Sequence, residues 1–162
     1  MSCNLYQANF NQPDFQTDTM SNFGKAHQSL NVFKKPLILF SKDPMTGFYR
    51  NGYCDVGPED KGNHAIAVTL TDSFLDFTAA NGNNLRSAGL TGGCKWCVCA
   101  GRWKEALEHY KKSGDDAATK SVVPKVHLAS THERALDVVS MEDLKKFAAD
   151  REVPKQLGDR EI

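Results

Sequence analysis

Residues 65–82 have the sequence AIAVTLTDSFLDFTAANG, which decides the fold class because it joins a strand directly to a helix. The segment 65–70 is rich in β-branched residues, which favours a strand. Thr71 is a good N-cap residue, and Asp72 suits the positive end of a helix dipole. Gly82 readily takes the positive φ of a C′ position, so the helix is expected to end just before it.

Predicted strands and helices continue to alternate towards the C-terminus. Residues 96–100 and 124–129 are predicted strands. Residues 102–112 are a predicted helix, because their apolar side chains recur at helical spacing. Capping boxes at 130–133 and 140–143 predict two further helices, the second running to about residue 150.

A β-hairpin is predicted before residue 65. Asn51-Gly52 favours a type I′ turn, with positive φ at both residues, between strands at 48–50 and 53–55. The apolar run LILF at 37–40 predicts a buried strand. The hairpin is antiparallel, whereas the later alternation allows parallel pairing. We therefore predict an α+β fold, a mixed β-sheet with an antiparallel hairpin and about four packed helices.

Length and composition predict one globular domain with less regular ends. The chain has 162 residues, of which 40% are hydrophobic, as in proteins with a packed core. Its first 30 residues are rich in Asn and Gln without periodicity, which is typical of poorly ordered chain. We expect a flexible arm at 1–30, a single globular domain at 31–150 and a charged tail at 151–162.

Charge and hydropathy argue against two classes of partner. Lys and Arg together number 20, as do Asp and Glu, so no basic excess is present to bind nucleic acid. No apolar run approaches the roughly 20 residues needed to span a bilayer. Residues 1–30 also lack the apolar block of a secretory signal. We expect a soluble cytoplasmic protein whose partner is an unknown small molecule or protein, with no nucleic acid and no membrane.

The five cysteines are odd in number and unevenly spaced, which is not typical of a secreted disulfide framework. We therefore expect reduced thiols. Cys97 and Cys99 would point to one face of a strand, where they could pack in the core, act as nucleophiles or share a metal. The C-x-x-C pair at 94–97 enters a strand, so it lacks the helix N-terminus that activates thioredoxin-like sites. A closed zinc site usually shows two paired ligand clusters, so no metal and no cofactor is predicted.

Polar side chains that suit a site lie in three stretches, 41–64, 81–103 and 127–134. Guanidinium groups bind carboxylate or phosphate through two parallel hydrogen bonds, and a strand-to-helix junction commonly holds ligands. The acidic side chains around Arg50, including Asp60, are expected to be solvated or to brace loops, since turns are polar anyway. We predict catalytic roles for Cys97, Cys99 and His132, and ligand binding by Arg50, His64, Arg102 and Asp55.

The combined motifs resemble a known family. The runs DPMTGFYRNGYCDVGPEDKGNH at 43–64, TDSFLDF, GNNL, WCVCAGRWKEA and VHLASTHERAL are similar to those of domain of unknown function 2237, over about residues 31–149. The resemblance implies a small soluble α+β domain and implies no activity. Relatives often carry Cys at the positions of Phe40 and Ala67, and tend to have Asp at that of Cys94.

Two classes of function stay open, so the sequence does not decide whether the protein is an enzyme. In the first, a pocket binds a small ligand or anion and a Cys–His pair does thiol-dependent chemistry. In the second, the protein is a non-catalytic interaction module with core-packed cysteines, or less readily a structural zinc protein. If strands 96–100 and 124–129 are parallel neighbours, the Cys pair and His132 would meet at one sheet edge, with Arg50 and His64 as walls.

Overall fold

The computed structural model describes residues 27–149, which form six regular elements. They are β1 Ile66–Thr69, α1 Asp72–Ala80, β2 Lys95–Val98, α2 Ala100–Lys112, β3 Lys125–Val126 and α3 Met141–Lys146. The flexible arm and the charged tail predicted at the two ends lie almost wholly outside the described residues. Within the described part, none of the helices is long and apolar enough to cross a membrane.

The sheet confirms the α+β class but is wholly antiparallel rather than mixed. Its order is β2-β1-β3, and the central strand β1 pairs antiparallel with both neighbours. The physical reason lies in the loop between α1 and β2. Leu70 donates to the carbonyl of Cys94 and accepts from Gly93, so the end of β1 is joined to the start of β2 and the chain must run back.

This topology fixes where the strand ends lie. Since β2 and β3 both run opposite to β1, their C-terminal ends share one end of the sheet with the start of β1. They are not neighbours, as the sequence hypothesis required, because β1 lies between them. Three chain segments therefore meet at that end of the sheet, those next to residues 65, 99 and 127.

One apolar core is built between the sheet and the helices. The predicted stripe of α2 is confirmed, since Trp103, Ala106, Leu107 and Tyr110 are all buried. Trp103 and Tyr110 each contact the Phe147 ring edge to face, at 6.0 and 5.6 Å between ring centroids. Such contacts add to the stabilisation that comes from burying the apolar surface itself.

The predicted helix caps at Thr71, Gly82 and Ser140 are confirmed. Thr71 Oγ1 accepts from Phe74 N, and Ser140 Oγ accepts from Asp143 N. Gly82 follows α1 with a φ of +89°. Capping depends on residues within one turn, which is why the sequence predicts it well.

The helix predicted after residues 130–133 is only a short 3-10 turn, Glu133–Asp137. Ser130 does not cap it, because Ser130 is buried inside the preceding turn, Leu128–Ser130. The cap is His132, whose Nδ1 accepts from Arg134 N. As a result the described part contains three α-helices, fewer than the four predicted, and α3 ends earlier than predicted, at Lys146.

The predicted hairpin and the buried strand before it are wrong. Residues 37–55 contain no regular strand, and Ile38 and Leu39 are 52% and 38% exposed. Positive φ occurs at Arg50 and Gly52 but not at Asn51, whose side chain instead accepts from Tyr53 N. The segment is held against β2, since Thr46 Oγ1 accepts from Cys97 N at 2.8 Å. The segment also bonds to itself, but through positions other than those of a two-residue hairpin, for example from Phe40 N to the Gly52 carbonyl at 2.8 Å.

Replacing Gly52 by Val is expected to lower the free energy of unfolding by more than about 1 kcal/mol, since a β-branched residue resists positive φ. Its φ is +87°, and an added Cβ would lie 2.7 Å from Leu39 Cδ1 and 3.1 Å from the Ser41 carbonyl. Gly114→Val is the matched control, since Gly114 has a φ of +75° with nothing within 4 Å. Urea unfolding should show the larger loss at Gly52; equal losses would mean that the contacts do not matter.

Candidate functional site

Three side chains at the shared end of the sheet form a hydrogen-bonded chain. Cys99 Sγ lies 3.0 Å from His64 Nε2, and His64 Nδ1 lies 2.6 Å from Asp60 Oδ1. Asp60 is buried, and its second oxygen accepts from the His64 backbone N–H at 2.8 Å. We refer to this arrangement as the Cys99–His64–Asp60 chain.

The antiparallel register brings the first two of these residues together. Ile66 pairs with Val98, so His64, just before β1, lies beside Cys99, just after β2. A hydrogen bond from Ala100 N to the Asn63 carbonyl, 2.9 Å long, closes the pairing beyond the sheet. The relative position of the thiol and the imidazole is therefore set by the central strand pair.

Gly62 leaves the space that the pair needs. A Cβ at this position would lie 2.7 Å from His64 Cε1 and 3.2 Å from Cys99 Sγ. Side-chain carbons rarely approach backbone or rings so closely, so a larger residue would push the ring or the thiol aside. The glycine thus determines how tightly the loop before His64 can close over the pair.

The electrostatic environment favours a charged His64. Its pKa is raised to about 9, chiefly by the hydrogen bond with Cys99, with burial opposing and the charges of Cys99 and Asp60 adding to the rise. In the protonated ring both N–H groups donate, one to the Cys99 sulfur and the other to the Asp60 carboxylate. The ring can therefore hold a proton that leaves the thiol.

Cys99 also occupies the N-cap position of α2. The first N–H groups of an α-helix have no partner within the helix and give its N-terminus a partial positive charge. Two of these groups in α2 belong to Gly101 and Arg102, and the Cys99 side chain makes no capping hydrogen bond with them.

A cavity of about 320 Å³ opens beside the thiol. It is lined by residues 96–99, by Phe48, Arg50 and His64, and by residues from the segment 83–88. Its volume is at the small end of the range for ligand pockets. The lining thus combines basic side chains with apolar ones that include Trp96 and Val98.

The family model described as "Uncharacterized protein conserved in bacteria (DUF2237)" matches residues 30–148. The chain belongs to this family. No curated protein matches the chain. The resemblance noted in the sequence is thereby confirmed, and the matched range of the DUF2237 domain contains the whole Cys99–His64–Asp60 chain.

Arg50 also lines the cavity in the DUF2237 domain. Its guanidinium carbon is 4.8 Å from the centre of the Trp96 ring, and Nη1 donates to the Gly47 carbonyl. The residue as a whole is exposed, but its guanidinium end lies against the ring, and this burial lowers the pKa of Arg50.

His132 and Asp55, two further predicted site residues, lie together and do not line this cavity. His132 is 5% exposed, and its Nε2 is 3.6 Å from Asp55 Oδ1. Burial lowers the pKa of His132, while the charge of Asp55 opposes that shift. Asp55 also accepts from Ser29 Oγ at 2.6 Å. The pair shares the sheet end with the thiol, since His132 N donates to the Ala65 carbonyl.

Arg102 does not line the cavity either. It donates to the Asn81 carbonyl and forms an ion pair with Glu105, at 2.9 and 3.1 Å. These acceptors offset the unfavourable position of a cation near a helix N-terminus. The predicted site is therefore brought together in part, through Arg50, His64, Cys97 and Cys99.

The expectation of reduced thiols is wrong for three described cysteines of the DUF2237 domain, since Cys54, Cys94 and Cys97 are disulfide-bonded. Cys54 and Cys97 form a disulfide, with their Cα atoms 5.3 Å apart. Phe40 and Ala67 pack against the bond. Cys97 and Cys99 do not share a strand face, because β2 ends at Val98 and the chain then turns into α2. Among the described cysteines Cys99 is free.

Asp60 is the site residue that the sequence did not single out. It was expected to be solvated or to brace a loop, and its fully buried carboxylate does brace the loop by accepting from His64 N, while its other oxygen holds the imidazole ring. Its spacing of four residues from His64 was the available signal. No group of three or more His, Cys, Asp or Glu side chains within 27–149 is arranged to hold a metal ion.

Proposed function

We propose that this domain is a thiol-dependent enzyme with Cys99 as the nucleophile for a small ligand bound in the adjacent cavity. The observation that supports it is the Cys99–His64–Asp60 chain at the cavity wall. A thiol, a base within hydrogen-bond reach and a third group that orients the base are the arrangement used for covalent catalysis. His64 accepts the thiol proton, and Asp60 holds the ring and stabilises its charge.

The reaction class that fits these groups is nucleophilic substitution at an electrophilic carbon, as in acyl transfer. The Cys99 sulfur forms a bond to the carbon while the bond to the leaving group breaks, and the leaving group takes the proton from His64. Water then attacks the thioester, gives its proton to His64, and Cys99 leaves as the thiolate. The N–H groups of Gly101 and Arg102, in the first turn of α2, are the donors proposed for a developing oxyanion.

Alkylation by iodoacetamide tests this proposal directly. At pH 6 an ordinary thiol is ionised to well under 1%, so removing its proton acceptor should slow the reaction. We expect His64→Gln to lower the alkylation rate of Cys99 about tenfold at pH 6. The effect is no larger because a thiol that loses its proton more readily is also a weaker nucleophile, which partly offsets the proposed advantage of the wild type. Peptide mass spectrometry identifies the modified residue, and Cys99→Ser should abolish the adduct.

His109→Gln is the matched control, because His109 is an exposed residue on the outer side of α2. That variant should alkylate at the wild-type rate. If His64→Gln and His109→Gln react alike while both remain folded, Cys99 is an ordinary thiol and the enzymatic proposal is wrong.

The alternative is a non-catalytic protein-interaction module. It draws support from the exposed large apolar side chains, which in the described part all belong to residues 38–49. They are Ile38, Leu39, Met45, Phe48 and Tyr49. An unreactive Cys99 in the alkylation experiment would favour this alternative, since a concentrated apolar surface is typical of interaction sites.

We infer a cytoplasmic location for this activity, because a nucleophilic thiol needs a compartment that keeps it reduced. The Cys54–Cys97 bond would then be one that forms and breaks with conditions, since stable disulfides are rare in the cytosol. Thiol trapping in intact cells would show whether the Cys54–Cys97 pair is partly reduced or always oxidised. A pair that is always fully oxidised would argue against the cytoplasm.

A further inference from the structure

We infer that the cavity takes an anionic substrate, whose carboxylate or phosphate group binds Arg50 while its electrophilic carbon faces Cys99. This inference rests on the proposed nucleophilic role of Cys99, and it adds the chemical class of the substrate. The juxtaposition that supports it is a guanidinium and a thiol on the walls of one cavity of about 320 Å³.

Arg50 differs from the other arginines within residues 27–149 by its lack of a carboxylate partner. Arg86, Arg102 and Arg134 each form an ion pair with a nearby Asp or Glu. Arg50 has no such ion pair in the described part, and its Nη1 donates to a neutral carbonyl. A guanidinium has five N–H donors, so most of its hydrogen-bonding capacity is left for a ligand.

The position of the guanidinium leaves its outer edge available. The guanidinium carbon lies over the Trp96 ring, 4.8 Å from its centre, and a cation–π contact of this kind does not use the N–H donors. The same burial lowers the pKa of Arg50, which means that the charge is held with less hydration than it would have in water. A bound anion would replace that hydration and form two parallel hydrogen bonds.

The charge and polarity of the other lining residues also suit an anionic ligand. Arg50 and His64 are its two basic residues, and no acidic side chain of the described part lines it. The lining also includes apolar side chains, among them Phe48, Leu85 and Val98. The substrate class is therefore a small molecule with an anionic group at one end, a short apolar body and an electrophilic carbon at the other.

The 46–54 segment, which carries Arg50, is attached to β2 at both ends. Arg50 N donates to the Gly47 carbonyl, and Thr46, fully buried, accepts from Cys97 N. The Cys54–Cys97 disulfide joins the far end of the segment to the same strand. Because both ends are attached to β2, the distance between the guanidinium and Cys99 is set by that strand, as positioning for chemistry requires.

Iodoacetate and iodoacetamide test the charge preference, since they have the same leaving group and nearly the same size and differ by one negative charge. The quantity measured is the ratio of their alkylation rates at Cys99. We expect Arg50→Gln to lower the ratio of iodoacetate to iodoacetamide about tenfold, which corresponds to about 1.4 kcal/mol. Arg50→Lys should restore part of it, and Arg134→Gln should leave it unchanged, because Arg134 does not line the cavity and pairs with Asp137.

The outcomes separate the two proposals. Fast, His64-dependent alkylation with a ratio that Arg50→Gln does not alter would overturn the anionic substrate and leave the nucleophile intact. An unreactive Cys99 would remove the nucleophile, and the anion site is then tested without the thiol. In Cys99→Ser protein, titration with acetate or inorganic phosphate should shift the NMR resonance of the Arg50 Nε–H until the site is saturated. The anion that binds more tightly shows whether the substrate group is a carboxylate or a phosphate. No shift with either anion would overturn the site.

Discussion

Trp103→Ala is expected to lower the free energy of unfolding by about 4 kcal/mol, at the level measured for large aromatic residues removed from protein cores. The Trp103 side chain of α2 is fully buried, and it contacts edge to face the ring of Phe147, the residue that follows α3. Its Nε1 donates to the Pro124 carbonyl at 3.1 Å, so the change also deprives a buried acceptor of its partner.

Urea unfolding of wild type and variant under the same conditions measures this difference. Trp103→Phe is the companion variant, because it keeps most of the ring volume and loses the indole N–H. We expect it to lower the free energy of unfolding by about 1–2 kcal/mol, the effect of the unpaired carbonyl and a small cavity. A loss under about 1 kcal/mol for the Ala variant would mean that Trp103 does not hold α2 to the sheet.

The sequence predicts well those features that depend on neighbouring residues. The strand before Thr71, the caps of α1 and α3, and the apolar stripe of α2 all follow from patterns within one or two turns. The hairpin failed for the opposite reason. Asn51-Gly52 carries a strong local preference, but contacts of the 46–54 segment with β2 outweigh it.

The candidate site shows the same division between local and distant effects. His64 and Cys99 were both identified as site residues, yet the thiol was paired in the hypothesis with His132. Which histidine meets the thiol depends on strand order, and that order is not encoded locally. With β1 in the centre, the residue just before it lies beside the end of β2, whereas His132 follows β3 on the other edge.

The Cys54–Cys97 disulfide is expected to contribute about 4 kcal/mol to stability, because it closes a loop spanning 43 residues and so restricts the unfolded chain. The double variant Cys54→Ala, Cys97→Ala should show this loss in urea unfolding. Its denaturant dependence should also steepen, since an uncrosslinked unfolded chain exposes more surface. Cys99→Ala is the control, as it removes a thiol from the same cavity without opening a loop.

The same variant should change the site as well as the stability, because the disulfide ties the segment carrying Arg50 to the strand that leads to Cys99. Without that bond, Thr46 Oγ1 still accepts from the backbone N–H of residue 97, but the chain beyond Arg50 is released. Under conditions where the double variant is folded, iodoacetamide should alkylate Cys99 at the wild-type rate, since His64 and Asp60 do not depend on the bond. The preference for iodoacetate should fall towards that of Arg50→Gln. An unchanged preference would show that Trp96 and the 47–50 turn alone position the guanidinium, and that the bond serves stability only.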